Sequence, residues 1–170
     1  MKRDDNGSGR SGQCRPPDLG PALWLVVGAV GAHIIEEYAL NFVGWSQQAF
    51  NAPISWEDFH VVNAGVIVYC AACAAIGGRM PAVALSSAAL VVLNAIGFHA
   101  GASLLTQSYS PGTVSAVLLF APSGVFAYAI ARRAGLLTPR VLILSIGLGL
   151  LWHAFLAAIF AIKYFAPLYR

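Results

Sequence analysis

The stretch that decides the fold is residues 19–38, LGPALWLVVGAVGAHIIEEY, an apolar run that ends in a histidine and two glutamates. A run of about twenty apolar residues is the length that an α-helix needs to cross a bilayer. On a helix, residues three and four apart share a face, so His33 lies beside both Glu36 and Glu37. A charged side chain inside a membrane helix costs roughly 2.5–3.5 kcal/mol, and adjacent carboxylates also repel each other. We therefore interpret these three residues as one polar cluster with a function.

The composition predicts an integral membrane protein. Of the 170 residues, 58% are hydrophobic and 10% are charged, whereas soluble domains carry about 25% charged residues. Short polar links separate five apolar stretches, which predicts an all-α bundle of five transmembrane helices over residues 19–168. Residues 1–18 are rich in Gly, Ser, Arg and Asp, and we predict a disordered polar tail there. The first apolar run begins too late and is too long for a cleaved signal, so we expect a retained anchor.

Proline, glycine and capping signals set the expected helix boundaries. The helices are predicted at about residues 21–43, 55–76, 81–106, 113–131 and 139–165, with a polar turn over residues 46–53. Ser55 and Asp58 resemble a capping box at the start of the second helix. Pro111-Gly112 suits the centre of a type II turn, and Pro122 is expected to kink the fourth helix.

Basic residues are distributed unequally between the two sides of this bundle. Eight of the ten Lys and Arg residues fall in the tail and in the second and fourth links. Positive residues are retained on the cytoplasmic side, which predicts a multi-pass protein of the cell membrane with a cytoplasmic N-terminus and an external C-terminus. At about 1.5 Å of rise per residue, four helices then bring polar side chains into the outer half of the bilayer. These side chains are Glu36, Glu37, His60, Asn63, Asn94, His99 and His153.

Three motifs follow one another along the chain: His33-x-x-Glu36-Glu37, Asn94 with His99, and Tyr109-Ser-Pro111-Gly112. As an ordered set they resemble the HXXEE family of small integral membrane proteins over roughly the first four helices. The resemblance implies an uncharacterised membrane protein that is taken to be an enzyme, so it supports the site more than any reaction. Two features depart from the family pattern. Ser115 stands where the third motif usually has threonine, and the spacing from Asn94 to His99 is one residue longer.

The leading hypothesis is a metal-dependent membrane enzyme. Histidine and carboxylate side chains on facing helices are typical ligands of iron, zinc or manganese. A divalent metal would neutralise the adjacent acids, and its open positions would activate water or oxygen against a small lipophilic substrate. We expect His33, Glu36 and His99 to be ligands. Glu37 would be a further ligand or the proton-transferring group, and His60 is an additional ligand candidate.

Four other polar residues are expected to bind substrate or support the site. Asn94 would orient groups from nearby, and Asn63 lies on the second helix at similar depth. Tyr109 is expected to anchor the chain at the membrane interface or to cover the site. A lone histidine on an apolar helix is more often a packing group, so His153 is a secondary candidate.

Two other functions and one structural interpretation remain open. A metal-free isomerase or cyclase of an isoprenoid-like lipid would use Glu36 and Glu37 as acid and base, with His99 as a proton shuttle. A proton or ion transporter would relay charge through the intramembrane Glu and His, although we find no inverted repeat that would support one. Alternatively, His33 and the two glutamates form only a hydrogen-bonded clamp between helices.

The remaining motifs are interpreted as structural. Cys70-Ala-Ala-Cys73 has redox spacing, but it lies in mid-helix, away from the helix start that lowers a thiol pKa. The chain has no phosphate loop, hydrolase elbow or nucleic-acid motif. We therefore expect the lipid bilayer and a lipophilic small molecule as partners, no nucleic acid, and no cofactor other than the metal. The sequence leaves the oligomeric state open.

Overall fold

The structure is a computed structural model and describes residues 18–165. Over that range the chain is all-helical, with no β-strand. Five helices are long and apolar enough to cross a membrane, so the prediction of an all-α protein with five candidate spans is confirmed. The predicted tail lies outside the described residues except for Asp18. The Asp18 carboxylate accepts a hydrogen bond from the Gly20 N–H at 3.0 Å and caps the first helix.

The helices in chain order are α1 (Leu19–Ala39), α2 (Phe42–Phe50), α3 (Trp56–Ile76), α4 (Pro81–Thr106), α5 (Thr113–Arg133) and α6 (Pro139–Phe165). The bounds of α3, α4 and α6 agree with the prediction. The capping box is confirmed, because Ser55 Oγ accepts from the Asp58 N–H at 3.2 Å and Asp58 Oδ2 accepts from the Ser55 N–H at 2.8 Å.

The predicted end of the first helix is wrong. That helix was expected to reach Val43 and to be followed by a polar turn, but α1 ends at Ala39 and α2 occupies residues 42–50. Asn41 is the cause, since it adopts the left-handed conformation (φ 56°) that an α-helix of L-residues cannot continue. Its side chain also accepts a hydrogen bond from the Gly44 N–H at 3.1 Å and caps α2.

The central helix of the bundle is α4. It packs against α1, α3, α5 and α6, and half of its apolar span is buried, against 17% of the α6 span. Small side chains at the contacts, such as the fully buried Ala84 and Ala88, let the neighbouring helices approach closely. Large apolar side chains point outward instead: Leu104 and Leu105 are 79% and 82% exposed. This apolar exterior fits a multi-pass membrane protein.

Two spans contain π-helical turns that were not predicted. They are Asn94–Gly101 in α4 and Ala116–Phe120 in α5. In a π-turn each N–H bonds to the carbonyl five residues earlier, so residues five apart lie on the same face. Asn94 and His99 therefore share a face despite their longer spacing. The second π-turn ends two residues before Pro122, whose ring excludes the carbonyl four residues back, which is consistent with irregular hydrogen bonding at this point of α5.

Both cysteines of the Cys70-Ala-Ala-Cys73 motif are free and buried. Cys73 Sγ donates a hydrogen bond to the Val83 carbonyl at 3.3 Å, across the α3–α4 contact. The nearby Tyr69 hydroxyl lies 2.5 Å from Ser86 Oγ. These contacts join α3 to α4 and are consistent with the structural interpretation of the motif.

A candidate metal centre between α1, α4 and α5

Three buried side chains from α1 and α4 meet inside the bundle: His33, Glu37 and His99. Their exposed fractions are 4%, 6% and 1%. Glu37 Oε1 lies 3.4 Å from His33 Nε2 and 3.7 Å from His99 Nε2, and one ligand atom from each residue falls within 4.8 Å of the others. His33 and Glu37 are one turn apart on the same face of α1, which brings them together. We call these three residues the His–Glu cluster.

The far nitrogen of the His33 ring is held by Ser115 at the start of α5. His33 Nδ1 lies 2.8 Å from Ser115 Oγ, and Ser115 Oγ donates to the Gly112 carbonyl at 3.1 Å. A hydroxyl has only one proton, and if Ser115 directs it to Gly112 it accepts from Nδ1; we therefore assign the His33 ring proton to Nδ1. The Phe120 ring packs against the imidazole with a centroid separation of 4.1 Å. In the neutral imidazole, the unprotonated Nε2 then faces Glu37.

The His99 ring is held in the same way by Ser110. His99 Nδ1 lies 3.3 Å from Ser110 Oγ, which directs its own proton towards the Pro111 carbonyl at 3.5 Å. By analogy with His33 we assign the His99 ring proton to Nδ1; Nε2 then faces Glu37 Oε1 at 3.7 Å. That Nε2 atom is buried and has no hydrogen-bond partner within residues 18–165.

The donor atoms of the cluster fit a metal ion. Two unprotonated nitrogens and a carboxylate oxygen face one another in a buried space, and their lone pairs repel unless a proton or a cation lies between them. With bond lengths of about 2.0–2.2 Å, neighbouring ligands of a tetrahedral metal are about 3.3–3.6 Å apart. The two measured separations to Glu37 Oε1, 3.4 and 3.7 Å, are close to this range.

A tight turn lies directly against the cluster. Gly112 has φ 95° and ψ −9°, which confirms the type II turn predicted for Pro111-Gly112. A Cβ built on Gly112 would lie 2.6 Å from Cε1 of both His33 and His99, and 3.0 Å from Glu37 Cγ. The backbone of the turn itself therefore covers the cluster, and only glycine fits there.

Glu36, which is expected to be a ligand, is not one of the three clustered residues and bonds to the start of α5 instead. Its Oε2 accepts from the Ser115 N–H at 2.7 Å, and its Oε1 accepts from the Val114 N–H at 3.2 Å and the Tyr109 hydroxyl at 2.6 Å. The carboxylate thus caps the N-terminus of α5 from a neighbouring helix. Burial raises the pKa of the Tyr109 phenol, and the hydrogen bond to Glu36 raises it further. Tyr109 therefore stays a donor and supports the turn.

His60 lies apart from the cluster, contrary to its expected place as an additional ligand. Its side chain is exposed, Nδ1 lies 2.5 Å from the Trp56 carbonyl, and the ring packs near Tyr38. The i to i+4 contact with Trp56 holds the imidazole along α3, and His60 is not part of the group formed by His33, Glu37 and His99.

Two cavities flank Glu37. The first, of about 200 Å³, lies among α1, α3, α4, α5 and α6, and its polar lining includes Asn63, Asn94 and His153. The second, of about 350 Å³, lies on the α2 side and also reaches Asn94. The walls of both cavities are otherwise mainly apolar. Three of the four expected supporting residues thus lie around one cavity beside the cluster, and the fourth, Tyr109, bonds to Glu36 instead.

Sequence reasoning missed the residues that orient the cluster. Ser115 and Ser110 contact the two imidazoles, and the sequence marks Ser115 only as a departure from the threonine of the family motif. The available signal was their position, since both flank Pro111-Gly112 within or next to the third motif. Trp152, which lines the first cavity, had no signal beyond being an aromatic residue in an apolar helix.

The comparisons with known proteins agree with this arrangement of motifs. The family model described as a protein of unknown function with HXXEE motif matches residues 24–127. Searches of curated proteins and of solved structures found no match. The matched range includes the whole His–Glu cluster, Glu36 and the covering turn. The chain therefore belongs to the family of proteins of unknown function with the HXXEE motif, which is His33-x-x-Glu36-Glu37 in this sequence.

Proposed function

We propose that the protein is an integral membrane enzyme that uses a metal ion held by His33, Glu37 and His99 to act on a small lipophilic substrate. The observation that carries the proposal is the convergence of the Nε2 atoms of two buried imidazoles on Glu37 Oε1. Two histidines and one carboxylate form the ligand set of many zinc hydrolases and non-haem iron oxygenases. Three protein ligands leave coordination positions open, as catalytic sites require.

The chain contributes orientation, cover and a substrate space. Ser115 and Ser110 fix the proton of each imidazole on Nδ1, which keeps Nε2 available as a ligand. Glu36 holds the start of α5, and the turn at Gly112 covers the cluster. A bound divalent metal would supply a Lewis acid and lower the pKa of a bound water. The first cavity would hold the apolar substrate beside it, away from bulk water.

The proposed setting is the cell membrane, with the N-terminus in the cytoplasm, the C-terminus outside and the site in the outer half of the bilayer. The support is the distribution of basic residues, eight of which belong to the tail and to the two links on the same side. A lipophilic substrate would then reach the cluster from the outer leaflet.

A metal-free enzyme is the second candidate. His33 Nε2 and His99 Nε2 lie 3.4 and 3.7 Å from Glu37 Oε1, so a small approach of the side chains would let Glu37 share a proton with either histidine, and that proton could be given to or taken from a substrate. This version differs from an acid–base pair of Glu36 and Glu37, because three hydrogen bonds engage Glu36 elsewhere.

The test is the metal content per chain, measured by elemental mass spectrometry on protein purified in detergent. We expect near-stoichiometric iron, zinc or manganese in the wild type and its loss in Glu37→Gln, because the amide replaces an anionic ligand without changing the shape. Glu36→Gln should still load metal when it is supplied in excess. Glu57→Gln, which changes an exposed acid on α3, is the control for purification and charge.

Two results would refute the assignment. If the folded wild type holds no metal after supplementation, the metal mechanism fails and the acid–base candidate takes its place. If Glu36→Gln loses the metal while Glu37→Gln keeps it, the ligand set is wrong.

A further inference from the structure

Three buried polar atoms around the first cavity have no hydrogen-bond partner within the described residues. They are Asn94 Oδ1, Trp152 Nε1 and His153 Nε2. Each such atom costs free energy unless something in the cavity pairs with it. They come from two helices, α4 and α6, and they share one cavity with Glu37 and His33. Whether each atom donates or accepts a hydrogen bond indicates which polar group of a ligand would fit between them.

His153 presents an acceptor to this cavity. Its Nδ1 lies 2.9 Å from the Gly149 carbonyl, which can only accept, so Nδ1 carries the proton and Nε2 of the neutral ring is free to accept. The Phe98 ring stacks on the imidazole at a centroid distance of 5.1 Å and an angle of 21°. Stacking holds the orientation of the ring, so the acceptor is in place before a ligand arrives.

Trp152 presents the matching donor. Its indole stacks on Tyr69 with a centroid distance of 4.6 Å and an interplanar angle of 10°, so the direction of the Nε1–H is also set by packing. An indole nitrogen can only donate, whereas Asn94 Oδ1 can only accept. The set therefore requires a head group that accepts one hydrogen bond and donates at least one.

We propose that the first cavity binds a lipophilic alcohol, with its hydroxyl between Asn94, Trp152 and His153 and its apolar body along the walls formed by Val66, Leu90 and Leu156. The cavity volume of about 200 Å³ and its mainly apolar lining suit a hydrocarbon body. A hydroxyl donates one hydrogen bond and accepts others, so it serves both kinds of atom. A ketone or aldehyde leaves both acceptors unpaired, an ammonium leaves the indole unpaired, and a hydrocarbon pairs with none.

This inference rests on the proposed function for its role, because it makes an alcohol the substrate at the His–Glu cluster. Binding itself does not need the metal, since none of the three atoms belongs to a proposed ligand. The two ideas can therefore fail separately.

The experiment follows the indole N–H resonances of ¹⁵N-labelled protein in a detergent without hydroxyl groups, titrated with octan-1-ol, octan-2-one or n-octane. Trp152→Phe assigns the Trp152 resonance. Trp24, which is 53% exposed on the outside of α1, is the internal reference for partition into the micelle. The titrations are run on metal-free protein and repeated after zinc is added.

We expect octan-1-ol to give a saturable downfield shift of the Trp152 indole proton, with no saturable shift at Trp24. Octan-2-one should bind about five- to tenfold more weakly, because it forms one hydrogen bond fewer. The hydroxyl has one proton and pairs with only one of the two acceptors, so the Asn94→Leu/His153→Phe double variant should weaken octan-1-ol binding by a similar factor, and one of the two single variants should account for most of that loss. Because Phe preserves the stacking on Phe98, a loss in His153→Phe reports the lost acceptor.

The inference is overturned if octan-1-ol moves the Trp152 resonance no more than the Trp24 resonance, or if all three probes bind equally well. If the protein prefers the alcohol but binds no zinc, the inference stands and the metal proposal fails. If zinc binds and the alcohol is not preferred, the metal proposal stands and this inference fails.

Discussion

Replacing Gly112 by alanine tests whether the turn over the His–Glu cluster fixes its geometry. The new Cβ would lie 2.6 Å from Cε1 of both His33 and His99, whereas carbon atoms in contact are about 3.5–4.0 Å apart. Each ring would therefore have to move by about 1 Å. An alanine at φ 95° adds strain of about 1–2 kcal/mol, and overpacking a filled site costs about 1–3 kcal/mol. We expect the free energy of unfolding to fall by about 2–5 kcal/mol.

The metal affinity of Gly112→Ala should fall as well. A functional site tolerates displacements of about 0.5 Å, and the rings would be displaced by more than that. Loss of a group that only orients a metal ligand lowers metal affinity about 10- to 100-fold. Gly112→Ala would displace the ligands themselves, so we expect its metal affinity to fall by about 100-fold or more.

Gly135→Ala is the matched control. Gly135 lies in the link between α5 and α6, also has a positive φ of 71°, and a Cβ added there meets no atom within 4 Å. The control therefore carries the backbone strain of about 1–2 kcal/mol without the collision, and its zinc affinity should equal that of the wild type. The difference between the two variants isolates the contact of the turn with the cluster.

The free energy of unfolding is measured by titration with sodium dodecyl sulfate in metal-free protein, followed by tryptophan fluorescence. Zinc affinity is measured by competition with a chromogenic chelator. If Gly112→Ala is no less stable than Gly135→Ala and binds zinc as tightly as the wild type, the turn does not fix the cluster and the reasoning is refuted.

Three further predictions follow from the contacts around the turn and from the basic residues. Ser115→Ala should lower zinc affinity about 10- to 100-fold by releasing the His33 ring, and Ser115→Thr, which keeps the hydroxyl, should restore it in the same chelator assay. Tyr109→Phe should lower the free energy of unfolding by about 1 kcal/mol at neutral pH. Because the folded-state pKa of Tyr109 is raised, this contribution is complete below the ordinary pKa of about 10 and is lost as the pH rises through the folded-state value. Wild type and Tyr109→Phe should therefore converge in stability at alkaline pH, and a constant difference would contradict the assignment. Alkaline phosphatase fused to the C-terminus should be active and a fused green fluorescent protein dark, whereas the reverse pattern would contradict an external C-terminus.

Much of the helical architecture could be predicted, because the bilayer sets a minimum length for each span and Pro and Gly mark the links. The short helix α2 could not. The boundary between α1 and α2 depends on Asn41, whose left-handed backbone breaks the helix. Hydropathy does not depend on backbone conformation, so it cannot predict this break. The π-turns were missed for a related reason, since they shift the hydrogen bonding by one residue without changing composition.

The sequence located the candidate site, but it did not determine which of the two adjacent glutamates would lie beside the histidines. His33 has Glu36 at i+3 and Glu37 at i+4, and both spacings put a carboxylate beside an imidazole on an isolated helix. The choice between them depends on what the neighbouring helices offer. Glu37 faces His99 of α4, while the free N–H groups of Val114 and Ser115 at the start of α5 donate to Glu36. Neither of these contacts with α4 and α5 can be predicted from the spacing of residues along α1.

The pair of adjacent glutamates then has a physical explanation. Consecutive side chains on a helix diverge by about 100°, so α1 can direct one carboxylate to α4 and the next to α5. Ser115 joins the two directions, because its N–H donates to Glu36 and its hydroxyl accepts from His33. Any shift of the start of α5 would therefore release the group that keeps the His33 proton on Nδ1. The second glutamate of the motif contributes to the cluster directly, and the first fixes the helix end that orients it.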